Sequence, residues 1–395
     1  MPKTPLALMI AASLLFATSA CQPPPAKPAS DKLEVANNSD KPKPSAAIQT
    51  IDETKTEPLV EVKTPKALTK AFVALSETKL TNELICTKLN DTMQQIDNKS
   101  KFEDIHTIQR QLEVCLPTTG NSEILQWLAE YQALYGRFLS INQPVNEQSF
   151  YTLMNLAERG EKFPLAALKK VTPRIRYLIS LVESNADVNV LYLGKGDYTF
   201  HHDLKAMADL FTPYLPKDQS AFIQRLATDN QSVFWHDATI AIPFDQVLER
   251  AIFWQDYIQR YPNGYAIEDA KSLFAIYRYL LFFGSENTQW TDDELREFRD
   301  PAQQQAINQL AQSANSQLAQ DAQGLIDFMA LSASQRQKKY PAPSKNDNGD
   351  KLDKRQKAKY QLAAALQIAS PWQSDHKSDY KNCFTGIVCV DSSTS

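Results

Sequence analysis

Glycine is scarce in this sequence, with only 10 residues in a chain of 395. Chains rich in tight turns and sheet use glycine wherever the backbone needs a positive φ. Alanine, leucine, glutamine and lysine are plentiful instead, and these residues favour helix. We therefore expect an all-α, multi-helix fold.

An excess of basic charge is also absent, because 42 Lys and Arg stand against 46 Asp and Glu, for a net charge of −4. A nucleic-acid interface needs a basic patch, so we expect no nucleic-acid partner. The sequence has no GxSxG elbow for a nucleophilic serine. The short stretch Gly194–Asp197 lacks the Ser or Thr of a phosphate loop. We expect no cofactor and no metal.

Long hydrophobic runs are confined to the N-terminus. Leu6–Ala17 is apolar but too short to cross a bilayer, which takes about 20 residues, so residues 1–20 are predicted to be a signal peptide. The small residues that end in Cys21 resemble the bacterial lipoprotein cleavage box. That resemblance implies a lipid on Cys21, and Gln22 after it implies delivery to the outer membrane. The alternative is an ordinary secretory signal that leaves Cys21 as a free thiol.

Residues 21–66 are rich in proline, lysine, serine, threonine and acidic residues, and they show no apolar periodicity. Such a segment cannot bury enough apolar surface to offset its ordering entropy, so we expect a disordered tether. At about 5–6 Å × √n, its mean reach is roughly 35–40 Å. The folded part could then work well away from the membrane surface.

Four cysteines remain when Cys21 is set aside, and an even number in an exported chain indicates disulfides. The favoured pairing joins Cys86 to Cys115 and Cys383 to Cys389, because each couple lies within one local unit. Closing the first loop would stabilise the fold by about 3–4 kcal/mol through lost chain entropy. A structural zinc site is the alternative, although no couple has CxxC spacing.

Helical spacing of apolar residues extends over 67–332, which we expect to form one α-helical domain. Its most apolar stretch, 243–284, is predicted to be two antiparallel helices joined at residues 261–264. The second of these helices is apolar on all sides, which predicts a central position in the core. Gly284 is predicted to be its left-handed C-terminal cap.

The remaining stretches give four local predictions. Residues 188–193 (VNVLYL) are the best strand candidate, and residues 292–299 are predicted to be a helix. Residues 333–358 are basic and low in complexity, which predicts a flexible linker. Residues 359–395 are expected to form a short helix and a disulfide-looped tail.

The order of His202, then His236–Asp237, then a later aspartate such as Asp269 or Asp293 resembles the HD family of metal-dependent phosphohydrolases. The resemblance implies an all-helical enzyme whose four side chains bind metal and activate water for attack on a phosphate ester. No Gly-Lys continuation follows Asp237. The alternative is that His236 and Asp237 form a turn.

The segment LISLVESNA, residues 178–186, resembles the region around the catalytic glutamate of lytic transglycosylases. The resemblance implies that Glu183 protonates a glycosidic oxygen of peptidoglycan. The downstream Gly-Leu-Met-Gln motif of that family is absent here. The alternative is a glutamate at a helix end, followed by a polar turn.

The segment YIQRYPNGYA, residues 257–266, resembles the inter-helix turn of tetratricopeptide repeats in periplasmic assembly lipoproteins. Stacked helix pairs of that kind form surfaces that bind proteins. No 34-residue repeat is found elsewhere in the sequence, and the alternative is a generic helical hairpin.

These features together predict an outer-membrane lipoprotein that faces the periplasm and binds the membrane through the lipid at Cys21. We expect a non-catalytic interaction or envelope-assembly module with a protein partner in the envelope. The alternative is an envelope hydrolase that uses either Glu183 or the set His202, His236 and Asp237.

Overall fold

The computed structural model describes residues 82–141, 147–313, 316–346, 348–371 and 386–388. All of these belong to one compact unit, residues 65–395. The predicted signal peptide and tether, Cys21, Cys383 and Cys389 lie outside the described residues. Within the described stretches, no helix combines the length and the apolar character that a membrane crossing requires.

Helices dominate the described chain, as the all-α prediction requires. The first helices and the strands among them are α1 (82–94), α2 (Phe102–Cys115), α3 (Asn121–Phe138), α4 (Glu147–Glu158), α5 (Leu165–Leu168), α6 (Pro173–Glu183), β1 (Val188–Gly194), β2 (Asp197–His202), α7 (Leu204–Phe211) and α8 (Lys217–Asp229). The others are β3 (Trp235–His236), β4 (Thr239–Ile240), α9 (Phe244–Arg260), α10 (Ile267–Phe283), α11 (Pro301–Ala311), α12 (Gln317–Ala330), α13 (Ala333–Lys339) and α14 (Lys354–Leu366).

The strands form two separate antiparallel hairpins, β1–β2 and β3–β4. In the first hairpin, Val188 pairs with His202 at the open end and Gly194 pairs with Asp197 beside the turn. The predicted strand at 188–193 is therefore confirmed as β1. Neither hairpin extends into a larger sheet among the described residues, so the fold class stays all-α.

Helices α9 and α10 pack against each other as the predicted antiparallel hairpin. The turn between them is closed by the Gly264 N–H, which donates to the Tyr261 carbonyl at 2.9 Å. Helix α8 holds this turn, because the Asp218 carboxylate accepts from the Tyr265 N–H at 2.8 Å. Helix α10 is buried on more than one side, which confirms its central position.

Three charged side chains are buried between α8, α9 and α10. The Asp229 carboxylate lies 2.9 Å from Arg225 and 3.2 Å from Arg250. Arg250 also donates to the Tyr277 hydroxyl on α10 at 3.1 Å. Burial raises the pKa of Asp229, while the two guanidinium groups act in the opposite direction. Loss of one partner would leave a buried charge uncompensated, at a cost of about 3–5 kcal/mol.

A second ion pair connects α10 to α12. Two nitrogens of Arg278 donate to the two carboxylate oxygens of Asp321 at 2.6 and 2.8 Å. This bidentate geometry is the strong form of the Arg–carboxylate pair. The pair therefore fixes the position of α12 against the central hairpin.

Cys86 on α1 and Cys115 at the end of α2 form a disulfide, with Cα atoms 5.5 Å apart. The predicted pairing of this couple is confirmed. Because these two thiols are bonded to each other, they cannot serve the four-cysteine zinc site that was the alternative.

The helix predicted over 292–299 is wrong. These residues form a loop, in which Thr291 pairs with Phe298 as an isolated antiparallel bridge. The Asp292 carboxylate accepts from the backbone N–H groups of Arg296 and Glu297. This local side-chain bond offers the backbone an alternative to a helix, and short aspartate side chains favour such turns.

The flexible linker predicted over 333–358 is also wrong for its first and last residues, which form α13 and the start of α14. For α13 the reason is Arg336, which is only 2% exposed; α14 begins at a capping box in which Asp353 and Gln356 accept from each other's backbone N–H. The Arg336 guanidinium donates to the carbonyls of Phe328 and Leu295, and it stacks 4.1 Å from the Phe328 ring. The basic composition of this stretch predicts solvent-exposed charges, but the Arg336 guanidinium is buried in the packed structure.

We expect Gly284→Ala to lower the free energy of unfolding by about 2–3 kcal/mol. Gly284 is the C-terminal cap of α10, as predicted, and its φ of 62° is positive, but its ψ of −155° lies outside the predicted left-handed helical region. Only glycine adopts this combination readily. An added Cβ would also collide with the Thr288 carbonyl oxygen. Urea denaturation followed by circular dichroism measures the change.

The matched control is Gly136→Ala, at an exposed position inside α3 where no atom lies within 4 Å of the added Cβ. This control should raise the free energy of unfolding by about 0.5–1 kcal/mol, because alanine favours helix more than glycine does. If the Gly284 variant were as stable as the control, glycine would not be required at this cap.

Candidate functional site

The pair His236–Asp237 lies at the tip of the β3–β4 hairpin. His236 pairs with Thr239 across a two-residue loop made of Asp237 and Ala238. Both loop residues have positive φ, 48° and 55°. A two-residue hairpin loop with two positive φ values is a type I′ turn. The pair is thus a turn feature, which was the alternative to the metal hypothesis.

The tip of the other hairpin lies against this turn. Lys195 forms an exposed ion pair with Asp237 at 2.9 Å. A Cβ on Gly194 would lie only 3.0 Å from the His236 side chain, so glycine allows the two to approach closely. Tyr192 meets the His236 ring edge-on, with ring centroids 6.0 Å apart. His236 and Asp237 therefore hold two hairpins together.

The geometry contradicts a metal site built from His202, His236 and Asp237. His202 pairs with Val188 at one end of β1, whereas His236 lies against Gly194 at the other end. Six residues of strand separate these ends by roughly 20 Å at about 3.3 Å per residue. Metal–nitrogen bonds are about 2 Å, so one ion cannot bind both histidines. Among the described residues, no group of three His, Cys, Asp or Glu side chains could hold a metal ion.

His202 is buried among aromatic rings and is only 4% exposed. Its ring stacks on Tyr135, with centroids 3.3 Å apart and planes inclined by 10°, and it meets Tyr131 edge-on. Neither ring nitrogen has a hydrogen-bond partner in the part of the chain that the structure describes. Burial, and then the neighbouring His201, lower the pKa of His202 well below its usual value. The ring is therefore neutral and serves packing.

Glu183 is the last residue of α6, and its side chain is exposed. Asn185 just beyond it has a positive φ of 52°, so a turn follows the helix. A general acid needs a carboxyl that is kept protonated, typically by burial in an apolar cleft. Glu183 is exposed, so it fits the alternative to a catalytic acid, which is a glutamate at a helix end before a polar turn.

A cavity of about 500 Å³ lies between α3 and β2. Its walls include Gln132 and Tyr135 from α3 and Phe200, His201 and His202 from β2. The described residues that line it include no Asp or Glu. Aromatic rings with a few amide and imidazole groups are typical of a binding pocket rather than of a carboxylate-based hydrolase.

Three residues of the C-terminal tail are packed beside this cavity. The Asn230 side-chain amide donates to the Gly386 carbonyl at 2.6 Å. The Gln132 side-chain oxygen accepts from the N–H groups of Ile387 at 2.9 Å and Val388 at 3.4 Å. Ile387 and Val388 are 0% and 3% exposed. Residues 386–388 are therefore part of the packed structure, and we call the surface that holds them, at Gln132 and Asn230, the Gln132–Asn230 groove. Gln132 also lines the cavity.

Sequence reasoning did not single out Gln132, Asn230 or the buried group around Asp229. Gln132 and Ile387 are 255 positions apart, and no periodicity or spacing connects them. Arg225 and Asp229 are four positions apart on one helix, which was the available sign of an ion pair. Its burial was not visible in the sequence.

No protein family, no curated protein and no solved structure matches this chain.

We expect Ala238→Gly to raise the free energy of unfolding by about 1 kcal/mol, because glycine adopts a positive φ without the steric cost that alanine incurs. Thermal unfolding by calorimetry measures the change. The control Ala364→Gly, at an exposed position inside α14, should lower stability by about 1 kcal/mol. Destabilisation by both changes would contradict the type I′ turn.

We expect stability to fall as the pH drops below about 6.5, the usual histidine pKa. The unfolded chain takes up a proton on His202 that the folded chain disfavours, because the folded-state pKa is lowered. The loss is at most about 1.4 kcal/mol per pH unit for one group. Urea midpoints between pH 4.5 and 7.5 measure the slope.

His202→Phe keeps an aromatic ring against Tyr135 and removes the titrating group, so it should make the slope shallower. A residual slope is expected from His201, whose pKa is also lowered by burial. Ala364→Gly, the exposed change inside α14, removes no titrating group; as the control it should shift the urea midpoints and leave their pH slope unchanged. An unchanged slope in the His202 variant would overturn the explanation.

Proposed function

We propose that this chain is a lipoprotein of the bacterial outer membrane, attached through a lipid on Cys21 and facing the periplasm. Its helical domain binds another protein of the envelope and does not catalyse a reaction. The leader that resembles a lipoprotein cleavage box and the composition of residues 21–66 support the anchor and the tether.

The observation that carries the proposal is the Cys86–Cys115 disulfide. Disulfides form and persist in oxidising compartments and are rare in the cytosol. A bacterial chain with a signal peptide, a lipidation cysteine and a structural disulfide fits the periplasmic side of the envelope. The four cysteines left after Cys21 fit the same compartment.

A binding role is favoured over hydrolysis by the chemistry of the described residues. The cavity beside α3 has aromatic and amide walls, and no described residue that lines it carries a carboxylate. The histidine set of the rival hydrolase is separated along a hairpin, and Glu183 is exposed. The α9–α10 turn, which resembles a tetratricopeptide-type hairpin, also agrees with a protein partner.

We expect the unaltered chain, expressed in a bacterium with an outer membrane, to incorporate an alkyne-labelled fatty acid and to sediment with that membrane. Cys21→Ser should lose the label and leave the membrane fraction, because this thiol is the attachment point. In-gel fluorescence after click labelling and density-gradient fractionation measure both properties. Cys383→Ser is the control and should keep the label.

Lipid label on the Cys21 variant, or an unlabelled wild-type chain found in the cytosol, would overturn the proposed attachment to the outer membrane. Mass spectrometry of the isolated chain under non-reducing conditions gives an independent check. It should find Cys86 and Cys115 joined in the exported protein.

A further inference from the structure

The tail residues Gly386, Ile387 and Val388 are held by two side-chain amides. Asn230 donates to one backbone carbonyl, and Gln132 accepts from two backbone N–H groups. Every one of these hydrogen bonds goes to main-chain atoms of the tail. Binding proteins recognise extended peptides through main-chain hydrogen bonds in the same way, because such bonds do not depend on the peptide's side chains.

The groove nevertheless selects side chains. A Cβ on Gly386 would collide with the Gln132 amide, and moving that amide would break its bonds to Ile387 and Val388. The two following side chains are almost completely enclosed. The groove therefore accepts a glycine followed by two aliphatic residues, since burial of apolar side chains favours binding and a polar side chain would be buried there without a partner.

The two amides belong to the folded body of the protein. Gln132 lies on α3, next to the buried Tyr131, and Asn230 is the C-terminal cap of α8, next to the buried Asp229. Helices α3 and α8 therefore have buried contacts of their own, in the same core that also contains Ile387 and Val388. Sites built on helices are held more precisely than sites on loops, so Gln132 and Asn230 are well placed to bind a segment in a fixed geometry.

We propose that the Gln132–Asn230 groove is a peptide-binding site, and that the chain's own Gly386–Val388 occupies it as an internal ligand. Its partner is an extended protein segment with the pattern glycine, aliphatic, aliphatic, which enters when the tail leaves. This inference rests on the proposed binding function and gives the chemical class of its partner.

A covalently attached segment has an effective concentration on the order of millimolar, so the tail competes strongly with any free peptide. Weakening the tail should therefore uncover the site. Gly386→Val does this without altering the groove, because the substitution is on the ligand and not on Gln132 or Asn230.

The experiment uses the full chain in detergent and a fluorescein-labelled peptide, FTGIV, which copies residues 384–388. Fluorescence anisotropy should show at least about tenfold tighter binding to Gly386→Val than to the unaltered chain. The double variant Gly386→Val with Gln132→Ala should lose this gain. A peptide in which valine replaces the glycine should not bind.

Two results would overturn the proposal: a folded Gly386→Val chain that does not bind the peptide, or binding that is unchanged by Gln132→Ala. If Gly386→Val does not fold, the unaltered chain is incubated with millimolar unlabelled peptide, and hydrogen exchange is measured at Ile387 and Val388. Exchange there should become at least tenfold faster while α10 stays protected. Unchanged exchange would overturn the proposal.

The lipid-labelling experiment on Cys21 uses a different readout and a different part of the chain. A chain that binds the peptide but is not lipidated would refute only the proposed membrane address. A lipidated chain that does not bind the peptide would refute only the groove.

Discussion

The buried contact between Asp229 and Arg250 is the constraint that joins α8 to α9 and, through Arg250, to α10. Arg250 also reaches Tyr277, so α8, α9 and α10 meet at one charged centre. A buried carboxylate costs several kcal/mol unless it is paired, and pairing here requires the three helices to be in register. Asn230, the residue after this carboxylate, then lies where it can hold the tail.

The two small hairpins contain both histidines that the sequence suggested as metal ligands, and in the structure both have packing roles. His202 lies at the open end of the β1–β2 hairpin and stacks on Tyr135. His236, on β3, lies against the turn end of that hairpin and meets Tyr192 edge-on. A buried neutral imidazole adds aromatic packing without bringing a charge into the core. His202 thus packs beside the cavity. His236 contributes to the contact between the two hairpins, and neither histidine joins a metal-binding set among the described residues.

The C-terminal residues 386–388 cover part of the surface beside the cavity. Residues near the C-terminus complete a surface on α3 and α8 through backbone hydrogen bonds and two enclosed aliphatic side chains. An interaction module that is closed by its own segment can keep apolar surface covered until a partner competes for it. This arrangement agrees with the proposed binding function.

Local patterns in the sequence determined the helical class, the central α9–α10 hairpin, the β1 strand and the Cys86–Cys115 pairing, because each depends on residues close together in the chain. Tertiary structure alone decided the burial of Arg336, the separation of His202 from His236 and the docking of Ile387 on Gln132. These depend on which surfaces meet after folding. The Gln132–Ile387 contact spans 255 positions, and a local pattern contains no information about contacts at that range.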